Sequence, residues 1–254
     1  MPTVQQNLEH WSTYAWPAGG DEWSAGAGGT PYVWHGTIFP RLCRFLPCRH
    51  VLEIAPGHGR LSAYLVPLCK RLTLVDLVPE CVDACRKRFA AHRHVRCHVN
   101  DGTSLDMVKD ADVDFVFSWD SLVHAEQDVI AAYLDQLARK LRPGAFGLFS
   151  HSNIGTYADP GTGRLTIENT HWRAESMTAE RFRDLCDHAG LWCLAQEVRT
   201  MGGPELIDCI SLFMRPQRTG PPPETNVMVN REFWRETHNL RRISTMYAPP
   251  PGAG

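Results

Sequence analysis

No apolar run in this chain approaches the ~20 residues that a membrane span requires, and the N-terminal stretch has neither the basic patch nor the apolar core of a secretory signal. Retention in the cytoplasm, with no membrane partner, is the expectation. No two cysteines have C-x-x-C spacing, which removes the common zinc-site patterns. The nine cysteines are odd in number and scattered. Cys69, Cys81, Cys85 and Cys186 fall on predicted buried faces and read as reduced core thiols rather than a disulfide framework. A basic stripe is missing too: 26 basic residues stand against 28 acidic ones, which argues against nucleic acid as a substrate. The rest of the composition, 254 residues of which 43% are hydrophobic and 21% charged, is that of a compact soluble chain of about one domain.

The most informative stretch is Val51 to Asp76, VLEIAPGHGRLSAYLVPLCKRLTLVD. Val51, Leu52 and Ile54 form the apolar run of a strand covered on both faces. Gly57 and Gly59 break it. With no Cβ they permit positive φ and let a ligand lie against the backbone amides at the start of the next helix. Leu61, Leu65 and Leu68 recur at helical spacing and bury that helix on the sheet. Leu72, Leu74 and Val75 make a second strand, with Asp76 at its carboxyl end, where open α/β sheets bind ligands. A carboxylate there suits a ribose diol, whose two hydroxyls it can accept. A dinucleotide fingerprint needs a third glycine for close helix packing; here Ser62 stands in that place, and a nicotinamide dehydrogenase is disfavoured.

The run Glu53-Ile-Ala55-Pro-Gly57-His-Gly59 resembles motif I of the class I S-adenosylmethionine-dependent methyltransferases, E/D-x-G-x-G-x-G, with Ala55 in place of the first glycine. Later segments follow the family's order over about residues 45 to 216. They are a helix at Val82 to Arg93, a strand at Val95 to Val99, then Asn100-Asp101-Gly102, and a fourth strand at Val113 to Trp119 ending on Asp120. A helix from about Glu126 to Leu141 is stopped by Pro143 and Gly144. Strand five is Phe146 to Ser150. A helix at Thr178 to His188 has a hydroxyl cap and Glu180 in its first turn. Leu191 to Arg199 and Cys209 to Arg215 read as a hairpin joined through Gly202-Gly203-Pro204. The expected fold is α/β: a Rossmann-like, seven-stranded, mostly parallel sheet with helices on both faces and a terminal antiparallel hairpin.

The resemblance implies S-adenosylmethionine as cofactor. It places Glu53, Gly57, Gly59, Asp76, Leu77, Asp101, Gly102, Trp119 and, from the N-terminal segment, Trp34 around it, with Asp101 accepting from the adenine amino group. The acceptor pocket then lies beyond strands four and five, where Trp119, Asp120, His124, His151, Ser152 and Asn153 cluster. Methyl transfer needs alignment and a lone pair on the acceptor, and an alcohol needs a base or a metal as well. His124 is the preferred base, with Asp120 positioning it or the substrate and His151 as the second candidate; His171 is a loop residue near the pocket. Some relatives hold magnesium on carboxylates after strands four and five. Only Asp120 matches that pattern, since His151 and Asn153 occupy the second place, so magnesium is an option rather than a requirement.

The pattern WDSLVHAEQDV…LARKLRPGAFGLFSHSN, with Trp34-His35-Gly36, resembles bacterial small-molecule or sugar O-methyltransferases. The favoured acceptor is therefore a hydroxyl on a small molecule. The alternatives are a small-molecule N-methyltransferase and a non-catalytic module that binds the cofactor. Residues 1–44, with Trp11, Tyr14, Trp16, Trp23, Tyr32 and Trp34, suit an aromatic lid with glycine hinges, since aromatic faces attract a sulfonium; packing on the outer helices is the other use of such residues. Residues 217–254 comprise the rest of the Pro-rich linker PQRTGPPPET and a tail whose Phe233, Trp234 and Leu240 would dock on the core or on a second copy, making a homodimer. The final PPPGAG is expected to be disordered.

Overall fold

A computed structural model describes residues 2–218 and 220–248; the PPPGAG expectation lies outside them. Apolar runs with polar ends form strands β1 (Cys48–Ile54), β2 (Cys69–Asp76), β3 (Val95–Val99), β4 (Val113–Ser118) and β5 (Leu141–Ser152), all parallel to one another. β6 (Trp192–Arg199) and β7 (Asp208–Met214) close the sheet as an antiparallel hairpin against β5. The order is β3-β2-β1-β4-β5-β7-β6-β8. Among the described residues there are eight strands rather than seven. The extra one, β8 (Asn226–Asn230), comes from the tail and adds in parallel to β6; its short Val-Met-Val run carries too little periodicity to read beforehand. The chain order reverses between β1 and β4, and the crevice at their carboxyl ends is the ligand position of such sheets.

Local chemistry sets the helices. The helix after the glycine turn lasts one turn, α4 (Ser62–Leu65), because Pro67 lacks the N–H that would continue it, and a 3₁₀ turn finishes the connection. α5 (Pro79–Arg88) starts three residues before the predicted Val82, with Pro79 at its first position, where no intrahelical donor is needed. α6 (Gln127–Lys140) buries Ile130, Leu134 and Leu137 on one stripe. The hydroxyl of Thr178 caps α7 (Ala179–His188), accepting from the Arg181 N–H at 2.9 Å. Strand five reaches back over Pro143 and Gly144. These residues sit in a register shift against β4, which lets a strand keep both a proline and a left-handed glycine.

The two sheet faces carry separate cores. One gathers Leu52, Ile54, Val116, Phe149 and Phe182 with α6 and α7; the other gathers Val51, Leu72, Phe115 and Phe117 with residues from 33–46. Val33, Trp34, Ile38 and Leu42 repeat at helical spacing, and all four are buried. They lie along α2 (Thr30–Val33), a π-helical turn, and α3 (Phe39–Leu42). Each such side chain contributes about 1.5–3 kcal/mol by leaving water. The first 44 residues thus divide: 30–42 build core, while α1 (Val4–Thr13) and the segment to Trp23 border the crevice.

The tail docks on its own chain. Arg41 donates to Glu197 of β6 (Nη2 to Oε1, 2.6 Å) and to Glu236 of α8 (Arg235–Met246; Nη2 to Oε1, 2.8 Å). Phe233 and Thr237 are buried beneath that junction. Among the described residues no helix is long and apolar enough to cross a membrane.

Candidate functional site

The crevice beyond β1, β2 and β4 opens into a cavity of about 430 Å³, within the ordinary size of a small-molecule site, about 300–1,000 Å³. Six of the chain's eight tryptophans line it: Trp11, Trp16, Trp23, Trp119, Trp172 and Trp234. Of the five non-glycine residues with left-handed φ among the described residues, four line it as well: Trp16, Ala55, Asp120 and Trp172. Backbone held in that region costs on the order of 1–3 kcal/mol and concentrates where function demands a geometry.

On the β1–β2 side the turn is drawn tight around Asp76. Its Oδ2 accepts the Gly57 N–H at 3.0 Å and its Oδ1 accepts the Val78 N–H at 2.9 Å. A carboxylate has about four acceptor positions, so each oxygen keeps one for a ligand hydroxyl. Burial pushes this carboxyl up to about 6, against the pull of its amide partners. Glu53 accepts from the Ser62 hydroxyl at 2.6 Å, and burial raises it to about 7. The serine that replaces the dinucleotide glycine therefore has a use.

Gly57 has φ +57°, and a Cβ there would lie 2.8 Å from the Trp16 ring, which stacks on His58 at 4.4 Å and 14°. Leu77 and Gly102 also line the cavity. Gly59 does not: its missing Cβ makes room for Phe89 and the Cys85 sulfur, so it is a packing glycine rather than part of the cradle. Asp101 is exposed and outside the lining. Its Oδ1 accepts the Thr103 N–H and hydroxyl and the Ser104 N–H, which holds its carboxyl below the usual range. Trp34 belongs to the core, stacked on Tyr64 at 5.0 Å; its helical apolar spacing put it under the sheet, not in the crevice.

On the β4 side, Trp119 and Asp120 border the cavity, and His124 follows on a 3₁₀ turn (Leu122–His124). His124 Nδ1 lies 2.8 Å from the Trp172 carbonyl. A carbonyl only accepts, so the hydrogen is on Nδ1 and Nε2 keeps its lone pair; among the described residues no group bonds that Nε2. Burial lowers this imidazole to about 4, so it is neutral at pH 7. Asn7 of α1 donates to the His124 carbonyl at 3.0 Å, which ties the N-terminal helix to this turn.

His151 is placed elsewhere. It is fully buried and stacked on Phe182 at 4.3 Å and 4°. Its Nδ1 meets the Ser152 carbonyl and its Nε2 the Ser211 hydroxyl. With both nitrogens engaged and no face on the cavity, it is a core histidine and not the second base. Asn153 is likewise spent on the Leu206 carbonyl and the Ala179 N–H. Among the described residues no three or more His, Cys, Asp or Glu side chains gather into a metal cluster.

A buried charge network escaped the sequence reading. Arg199 (1% exposed) donates from Nη2 to Asp120 Oδ1 at 3.0 Å and pairs with Asp208 Oδ2 at 3.0 Å. Arg173, on the cavity wall, forks onto Asp208 through Nε and Nη2 at 2.8 and 3.0 Å. Two guanidiniums keep the Asp208 carboxylate charged and low although burial alone would raise it. Arg60 reaches Asp120 from the other side at 3.8 Å and donates to Ser24 at 2.7 Å. Phe233 of the tail covers Arg199, with the guanidinium 4.3 Å from the ring centroid. One signal was available: Arg199 and Asp208 face each other across the β6–β7 hairpin, and opposite charges at paired positions attract.

Comparison with known proteins bears on the fold. Residues 51–144 match the family described as "Methyltransferase domain". Malonyl-[acyl-carrier protein] O-methyltransferase of Serratia marcescens is 28% identical over 161 residues, 63% of this chain and 60% of that protein, so this chain spans less than two thirds of that relative. The N-methyltransferase NodS of Bradyrhizobium japonicum WM9 superposes with a TM-score of 0.52 at 17% identity, over 74% of this chain and 98% of that one. An S-adenosylmethionine-dependent methyltransferase of Clostridium acetobutylicum superposes with a TM-score of 0.55 at 15% identity, over 72% and 91%. Residues 51–144 are thus similar to a methyltransferase domain, and the sheet that carries them has the fold of the two superposed methyltransferases.

Proposed function

We propose that this chain transfers the methyl group of S-adenosylmethionine to a hydroxyl of a small molecule, with His124 as the base. The observation that carries this reading is His124 itself: a neutral imidazole on the cavity wall, its tautomer set by the Trp172 carbonyl and its Nε2 free to accept. The cofactor, when bound, supplies an electrophilic methyl group on a sulfonium. For its ribose diol, Asp76 has one acceptor position left on each oxygen, and Gly57 leaves bare backbone beside it. Leu77 and Gly102 border the same end, and Trp119 lies toward the acceptor.

The acceptor's oxygen must lose a proton as it gains the methyl group. His124 Nε2 takes that proton, and water bound at the open side of the crevice removes it later. Asp120, fixed in a left-handed turn and held by Arg199 and Arg60, orients the acceptor hydroxyl. The tryptophan walls exclude water and offer flat faces for a ring. α1 and the segment through Trp23 serve as the lid, with Trp16 lying over Gly57.

A second reading moves the methyl group to a small amine, with Asp120 holding the ammonium before it loses its proton. The half-exposed Asp120 carboxylate favours it, as does the fold shared with the N-methyltransferase NodS. A panel of hydroxyl and amine acceptors with labelled methyl donor separates the two, run with and without chelator on wild type and His124→Gln. A hydroxyl product whose formation survives His124→Gln at full rate removes the base assignment. Product on amines alone favours the second reading.

A further inference from the structure

A second cavity, of about 570 Å³, adjoins the first and shares Trp23, Met201 and Trp234 with it as a common neck. One wall is Gly26 and Ala27; the other is α8, which presents Arg235, His238 and Arg241 at intervals of three residues. Among the described residues no acidic side chain lines this space. The helix has one acid, Glu236, and that residue is turned away onto Arg41. Arg241 forms no ion pair among the described residues, and Arg235 meets only the exposed Glu232, at 2.7 Å, a contact of little worth in water. The helix is held at this spacing. Tyr32 donates to Ser244 at 3.2 Å, and a Cβ on Gly28 would come within 2.9 Å of the Arg241 stem.

The neck of Trp23, Met201 and Trp234 joins the two spaces, so an acceptor whose reacting atom meets His124 has a path for its far end into the second cavity. We propose that the second cavity binds an oxyanion, a phosphate or carboxylate, carried by the methyl acceptor at a distance from the methylated atom. Two guanidiniums and an imidazole give charge-assisted bonds to such a group, and the tryptophans of the neck pack the part of the molecule between. The proposal rests on the reading that the first cavity holds the cofactor, and it adds a substrate class: acceptors with an anionic end.

The test uses the full chain saturated with S-adenosylhomocysteine at low salt. Inorganic pyrophosphate is titrated in one arm and glutarate in the other, followed by calorimetry and by the fluorescence of Trp23 and Trp234. The expected result is saturable binding of at least one anion. That binding weakens about tenfold or more in Arg241→Glu and further in the Arg235→Glu/Arg241→Glu pair, and is unchanged in Arg86→Glu on the distant α5. Pyrophosphate alone binding points to phosphate esters; glutarate binding points to carboxylates. Failure of both anions to bind, or equal affinity in the Arg241→Glu protein, overturns the proposal. Titration of S-adenosylhomocysteine into each variant reports separately on the cofactor reading and on whether the variant is folded.

Discussion

The side of the crevice proposed for the cofactor and the side proposed for the acceptor are built over very different spans of chain. Around the cofactor turn the deciding bonds are short in sequence: Gly57 to Asp76 spans 19 residues and Ser62 to Glu53 spans nine. On the acceptor side they are long. His124 to Trp172 spans 48 residues, Arg199 to Asp120 spans 79, and Asn7 to His124 spans 117. A local turn can be specified by a short motif and kept across many proteins. A surface assembled from four such distant segments can vary with the acceptor while the turn stays fixed.

That contrast can be broken by variants on each side. His124→Gln should lower kcat by about a hundredfold or more and leave affinity for S-adenosylhomocysteine within about twofold; a loss of cofactor affinity of the same size would merge the two sides. Asp76→Asn should do the reverse, weakening S-adenosylhomocysteine by about 2–3 kcal/mol, roughly 30–150-fold, as hydroxyls lose a charged acceptor.

Acidity probes the same carboxylate. Its folded value of about 6 lies above the unfolded one, so the stability linked to it is present at low pH and declines as pH rises through 4 to 6. Acidification therefore does not unfold the protein through Asp76. It fills a ligand acceptor instead, and affinity should fall up to about tenfold per pH unit below 6 in wild type and stay nearly flat in Asp76→Asn.

The smallest effect separates two positions of one motif. Gly57→Ala should reduce cofactor affinity, because the new Cβ drives Trp16 from its place over His58. Ala55→Gly relieves a left-handed alanine at φ +55° worth about 1–2 kcal/mol. Glycine's greater chain entropy offsets about 0.5–1 of that, so melting should shift by only a few degrees and binding should not change.

The same contrast explains what could be read in advance. β1 to β7, the glycine turn, Asp76 and the hairpin follow from short continuous apolar runs, breakers and one motif, all of them local signals. His124 and His151 could not be told apart that way, since each follows a strand at the same end of the sheet. Only the packing of Phe182 and Ser211 shows that one is core and the other open to the cavity. Trp34 misled for a related reason: an aromatic in a glycine-rich segment suggests a lid, yet its spacing with Ile38 and Leu42 marks a buried helical stripe. Phe233 and Trp234 reach the site in a tail tied down by the ion pair of Glu236 with Arg41, which no local pattern announces.

The claim beneath these expectations is that the cavity bordered by Gly57, Asp76 and Trp16 binds the methyl donor. Calorimetric titration of S-adenosylhomocysteine into wild type and Asp76→Asn tests it most directly. One saturable site in wild type, weakened at least about 30-fold in the variant, is the expected result; no heat in folded wild-type protein, or equal affinity in the two proteins, contradicts it.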